Sequence, residues 1–151
     1  MSDLLDNQIL IISVFTWAVT QILKVIVILI QERRLAWNYF ITSGGMPSSH
    51  TSTVCALATA IALTEGMSSV YFAIAVILAS IVMYDAAGVR QDVGHQSAII
   101  NRIVQELRSK ATLTDIRHEL REIVGHTPSQ VFVGAVLGIF IAWSWIAIVR
   151  M

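Results

Sequence analysis

The chain has 151 residues, 56% of them hydrophobic and only 13% charged, with a formal net charge of zero at pH 7. Charged residues in soluble domains approach a quarter of the total, so an ordinary water-soluble fold is a poor description, and the neutral balance excludes a basic nucleic-acid surface. The lone cysteine, Cys55, excludes an intramolecular disulfide and a cysteine metal cluster, and a chain this short leaves room for a single membrane-embedded domain, 1–151.

The first apolar run, Gln8 to Ile30, carries one charge, Lys24. It is long enough to cross the roughly 30 Å hydrocarbon core. Acidic Asp3 and Asp6 precede it in place of a basic region, so it reads as a span and not a cleaved signal peptide. Lys24 has two readings: a lysine snorkelling to the nearby surface, or an intramembrane cation held for a ligand. Arg33 and Arg34 follow at the surface. One is expected to bind phosphate and the other lipid headgroups or water, and the sequence leaves open which.

Next comes Gly44-Gly45-Met46-Pro47-Ser48-Ser49-His50. Proline is favoured in the first turn of a helix, so His50 is expected at a helix start. Such a start offers backbone N–H groups and a positive dipole end, a receptive place for an anion. Ser48 and Ser49 add hydroxyl donors, although serine and glycine are also ordinary capping residues. The apolar stretches His50–Leu63 and Ser68–Met83 follow, split by Thr64-Glu65-Gly66-Met67. Each is short for a full span and is expected to tilt or to begin below the membrane surface.

The third stretch ends in Tyr84-Asp85-Ala86-Ala87-Gly88-Val89-Arg90. Asp85 and Arg90 fit a plain ion pair, or a carboxylate behind a histidine with a guanidinium on phosphate. From Gln96 to Ser109, Ile99, Ile100, Ile103, Val104 and Leu107 recur at helical spacing opposite polar residues. That pattern predicts an amphipathic helix at the interface. A second short helix is expected over Thr114–Val124, stopped by Gly125. His95 and His118 have no motif around them and read as solvated.

Gly125-His126-Thr127-Pro128-Ser129-Gln130 then opens the last apolar run, Ser129 to Val149, which holds no charge. Thr127, Pro128 and Gln130 spell a capping box with proline at the first helical position. His126 precedes the cap and is not explained by it; a histidine there is a candidate nucleophile or base. Gly134 and Gly138 form a small-xxx-small pattern for close helix packing, and Trp143 and Trp145 suit an outer interface.

These runs predict an all-α integral membrane protein with about four transmembrane helices and one or two cytoplasmic interfacial helices. Of ten Lys and Arg residues, Arg33 and Arg34 follow the first span and six more follow the third, against Arg150 alone at the other side. The positive-inside bias puts both histidine motifs at the cytoplasmic face.

Lys24 with Arg33/Arg34, then Pro47-Ser48-Ser49-His50, then Arg121 before His126, resembles the three-part signature of the type 2 phosphatidic acid phosphatase and vanadium haloperoxidase superfamily. The fuller segments 44–50, 84–90 and 125–128 are similar to its divergent branch of small bacterial and plastid membrane proteins. The resemblance runs from Lys24 to Gly138. It implies a metal-independent, cofactor-free phosphatase in a bacterial cell membrane, acting on a phosphomonoester or diphosphate lipid through a phosphohistidine. Carried over, His126 is the nucleophile and His50 protonates the leaving oxygen. Lys24, Arg33 or Arg34, Arg121 and the Ser48–Ser49 segment hold the phosphoryl oxygens. A homodimer is compatible with this picture.

Three departures shape it. Ser49 stands where the superfamily usually has glycine. Arg121 is five residues before His126, not six, so Arg90 is a second source of that charge. Gln130 replaces the aspartate that orients the nucleophile, and an amide cannot stabilise an imidazolium as a carboxylate does; Asp85 is the expected substitute. The alternative function is a non-catalytic lipid-phosphate binder or carrier built on the phosphatase fold.

Overall fold

The computed structural model describes residues 6–32, 45–110 and 127–150. Among them are five helices and no strand: α1 (Gln8–Glu32), α2 (Ser49–Thr64), α3 (Val70–Ala87), α4 (Val89–Lys110) and α5 (Pro128–Val149). This is an all-α membrane protein, with α1, α3 and α5 long and apolar enough to cross a membrane.

The fourth expected span, α2, is different in kind. Its 16 residues rise only about 24 Å, and Ser49, Thr51 and Ser52 are buried in it. It can carry them because it is the hub of the bundle, with α1, α3 and α5 all packed on it. Thr20 meets Ser52 and Lys24 meets Ser49, so α1 runs antiparallel to α2. Gly134 faces Ser48, Gly138 faces Ser52 and Arg150 Nη2 donates to the Leu63 carbonyl, so α5 runs parallel to it. The core between them is built of small residues that allow close approach: Ala56, Ala60 and Ala142 with Ile12 and Ile146.

The helix ends follow local chemistry. Ser69 caps α3 by accepting from the Phe72 N–H at 3.2 Å, and Gly66, at φ +86°, turns the chain between α2 and α3. Gly88 breaks α3 from α4. The amphipathic helix begins at Val89, seven residues before the expected Gln96, because Arg90, Gln91 and Asp92 extend it without an apolar period. Ile99, Ile100 and Ile103 are exposed on it, and Arg102 pairs with Glu106 one turn on, at 3.9 Å. The helix expected over Thr114–Val124 lies outside the described residues.

At the end remote from the histidine motifs the helices are level. Trp145 Nε1 donates to Gln8 Oε1 at 3.2 Å, and Asp6 to Ile9 share a surface cleft with Thr64 and Glu65.

Candidate functional site

The site is built where α1, α2 and α5 meet at the other end. Lys24 is 0% exposed, although an isolated lysine in a span would reach for the surface. Its Nζ donates to Ser49 Oγ at 3.4 Å, and Ser49 is itself 3% exposed. Gly45 lies against the lysine stem in a left-handed conformation, φ +95°. A Cβ there would stand 3.3 Å from Lys24 Cγ and 3.4 Å from Cδ. Glycine therefore serves twice: it allows the backbone angle and leaves the lysine its room.

Pro47 stands before the N-cap, not in the first turn as its sequence context predicts. Ser48 is the N-cap, its Oγ accepting from the Thr51 N–H at 3.4 Å and from Thr51 Oγ1 at 3.1 Å. The first-turn N–H groups at Ser49 and His50 point out of the helix start. The Ser48 N–H is engaged elsewhere: it donates to the Gln130 carbonyl at 3.3 Å, joining the first histidine motif to the start of α5.

At α5 the expected capping box is present. Gln130 N donates to Thr127 Oγ1 at 3.4 Å, and Thr127 N donates back to Gln130 Oε1 at 3.2 Å. Below it, the backbones of α2 and α5 touch. A Cβ on Gly134 would lie 2.7 Å from the Ser48 carbonyl oxygen, and one on Gly138 would overlap the carbonyl of Ser52. The glycine pattern thus has its partner in α2. Both motif-bearing helix starts are held in one register by it.

The structure brings Lys24, Ser48, Ser49 and the Gln130 carbonyl together. His50 is the second residue of α2 and is exposed. Asp85 is half-buried in the last turn of α3, and the Cys55 Sγ to Met83 Sδ contact of 3.9 Å puts that turn at the same end of α2. Arg90, the second residue of α4, is described by its backbone alone. Arg33, Arg34, Arg121 and His126 lie outside the described residues. Among the described residues, no three His, Cys, Asp or Glu side chains converge as a metal-ligand set.

The site is recessed. Lys24 lies six residues before Ile30, the end of the apolar stretch of α1, a depth of about 9 Å at the helical rise. On α5, Ser48 is met by the Gln130 carbonyl and by Gly134, two and six residues inside the start at Pro128, about 3–9 Å.

The sequence matches the family model described as the divergent PAP2 family over residues 5–141. The chain belongs to the divergent PAP2 family. It is also 37% identical over 148 residues to the uncharacterized membrane protein YuiD of Bacillus subtilis (strain 168), covering 92% of this chain and 94% of that protein. No solved structure matches.

This divergent PAP2 chain also holds polar neighbours of the candidate site that sequence reasoning passed over. Ser13, Thr16, Thr20 and Gln21 are all buried on α1, on the face that ends in Lys24. Thr20 Oγ1 meets Ser52 Oγ at 2.8 Å. The signal was present as polar residues spaced three or four apart in an apolar run, the interval that places side chains on one helical face.

Proposed function

We propose that this divergent PAP2 protein is a membrane lipid phosphatase. It hydrolyses a phosphomonoester or diphosphate lipid, without a metal, at the cytoplasmic face of a bacterial cell membrane. The whole chain, 1–151, serves as one phosphatase-like domain. The observation that supports this most directly is the buried Lys24 amine on the Ser49 hydroxyl, beside a loop hydrogen-bonded to the start of α5. A cation buried in a membrane helix is costly unless it serves a partner or ligand. A phosphate is the ligand that also suits outward N–H groups at a helix start.

In this reading a ring nitrogen of His126 attacks phosphorus as the bond to the lipid oxygen breaks. His50 gives its proton to the departing oxygen. Water then cleaves the P–N bond and inorganic phosphate leaves. Lys24, Arg33 or Arg34, Arg90 or Arg121, and Ser49 neutralise the phosphoryl oxygens, since phosphoryl transfer depends chiefly on positioning and charge stabilisation. Asp85 stands in for the missing orienting aspartate. The placement at the cytoplasmic face rests on the eight-to-one bias of basic residues.

The second reading, a lipid-phosphate binder or carrier, is favoured by one observation. Gln130 occupies the orienting position and is tied into the capping box with Thr127. Purified protein in detergent, offered phosphatidate, phosphatidylglycerophosphate and polyprenyl diphosphate with a chelator present, separates the two. Phosphate release lost in His126→Ala and His50→Ala supports the phosphatase. Retention of labelled lipid with no release by the wild type supports the carrier.

A further inference from the structure

We infer that Thr20 and Ser52 form a positioning node that sets the height of Lys24 against Ser49; this rests on reading Lys24 and Ser49 as phosphate ligands. The two helices are antiparallel and cross-linked by two rungs. The lower rung is Thr20 Oγ1 to Ser52 Oγ, 2.8 Å. The upper rung is Lys24 Nζ to Ser49 Oγ, 3.4 Å. Four residues separate the rungs on α1 and three on α2, roughly one turn on each. Thr20 and Ser52 are both 0% exposed.

The lower rung is held from every side. Thr20 Oγ1 donates to the Thr16 carbonyl at 2.7 Å and Ser52 Oγ donates to the Ser49 carbonyl at 3.1 Å. Each hydroxyl has one proton, so two protons serve three contacts. The order is either Ser52 to Thr20 to Thr16, or Thr20 to Ser52 to Ser49. Both orders that use the interhelical contact tie α1 to α2. On its third side the Ser52 backbone rests directly on Gly138 of α5. Ser52 is therefore the point where three helices meet, and Thr20 is the group by which α1 is fixed to that point.

This rung adds a directional contact to the apolar packing of Ile12 with Ala56 and Ala60, and fixes the axial position of α1 on α2 next to the site. The lysine stem is flexible, and its amine is drawn toward the membrane surface. The upper rung, at 3.4 Å, is long. The node thus acts through Lys24. It sets where the charge sits and touches no phosphate itself.

The test uses the full chain in detergent micelles with carbon-13 lysine. The chain has two lysines, Lys24 and Lys110, so Lys110→Arg assigns the ε-CH2 signals. Spectra are recorded for wild type, Thr20→Val, Thr20→Ser and Ser52→Ala, with and without inorganic phosphate. Thr20→Val and Ser52→Ala are expected to move the Lys24 signal, without phosphate, toward that of a solvated lysine. Their phosphate dissociation constants should rise about three- to tenfold, the range expected for one interhelical hydrogen bond in a membrane. Thr20→Ser keeps the hydroxyl and should overlay the wild type, which a role in simple volume filling would not achieve. A Lys24 signal unmoved in folded Thr20→Val and Ser52→Ala overturns the node. If Thr20→Val does not fold, Ser52→Ala decides alone. A wild-type Lys24 signal that ignores phosphate counts against the phosphate reading, while the phosphate-free comparison still judges the node.

Discussion

Gly138→Ala is the sharpest probe of the architecture that holds the site. The added methyl would overlap the carbonyl of Ser52, a backbone atom that no rotamer change can move aside. Helices α2 and α5 must then part by roughly 1 Å, and overpacking of that kind costs about 1–3 kcal/mol. Alanine returns up to about 1 kcal/mol through its better helix propensity; because the clash is with backbone, the overpacking falls at the upper end of that range, leaving a net loss approaching about 2 kcal/mol. Gly134→Ala meets the Ser48 carbonyl at 2.7 Å, a smaller intrusion, and should cost less. Val136→Ala, at a side chain 52% exposed on the same helix, should cost little. Reversible unfolding in mixed detergent micelles, followed by helicity, gives the ranking. The separation also stretches the Ser48 N–H to Gln130 carbonyl bond, already 3.3 Å, so phosphate release should fall in the glycine variants before they unfold. A Gly138→Ala protein as stable as wild type would refute backbone contact as the basis of the α2–α5 register.

Lys24→Met removes a charge that is fully buried. Stability should be unchanged or higher, because a buried cation is costly to keep, while phosphate release should fall about a hundredfold; equal release by the variant would remove Lys24 from the site. Asp85→Asn should lower turnover by about a hundredfold or more, as when a charged orienting partner is lost. Gln130→Ala should instead cost about 1 kcal/mol of stability through the capping box, and the reverse ranking in turnover of the folded proteins would return the orienting role to position 130. Single cysteines introduced into the 64–67 turn should react with an impermeant thiol reagent added outside intact cells, and those at 109–113 should not; labelling of 109–113 from outside overturns the orientation.

Much of the fold is legible in the sequence because its boundaries are chemical. Thr127, Pro128 and Gln130 spell a helix start that forms as read, and the break at Thr64-Glu65-Gly66-Met67 is where the chain turns between α2 and α3. Other features depend on a neighbour that no local pattern names. The Gly134 and Gly138 spacing announces close packing but not that the partner is α2, or that α2 runs parallel to α5. Thr20 is a hydroxyl in an apolar run, and only the position of Ser52 turns it into a cross-link. Ser48 reads as a phosphate donor from its motif, yet its N–H donates to the Gln130 carbonyl and its Oγ accepts from Thr51, so of its donors only the hydroxyl proton is not used in these contacts. The early start of α4 was hidden because Arg90, Gln91 and Asp92 show no apolar period. Lys24 is visible as a charge in a span, and its burial follows from Gly45 folding over it.

If the protein acts on a lipid phosphate as proposed, the recess changes what that lipid must do to be used. Its tails could stay at their ordinary level in the bilayer, but its phosphate would have to travel inward to Lys24, about 9 Å below the end of the apolar stretch of α1. That descent takes a charged group out of the headgroup layer and strips much of its water, a large opposing cost if nothing met it below. The Lys24 charge and the α2 start wait at the bottom. On the proposed reading, the shortness of α2 would work as a filter on headgroups: a lipid whose phosphate carries a bulky polar substituent would have to drag that substituent down as well, whereas a terminal phosphate would descend alone.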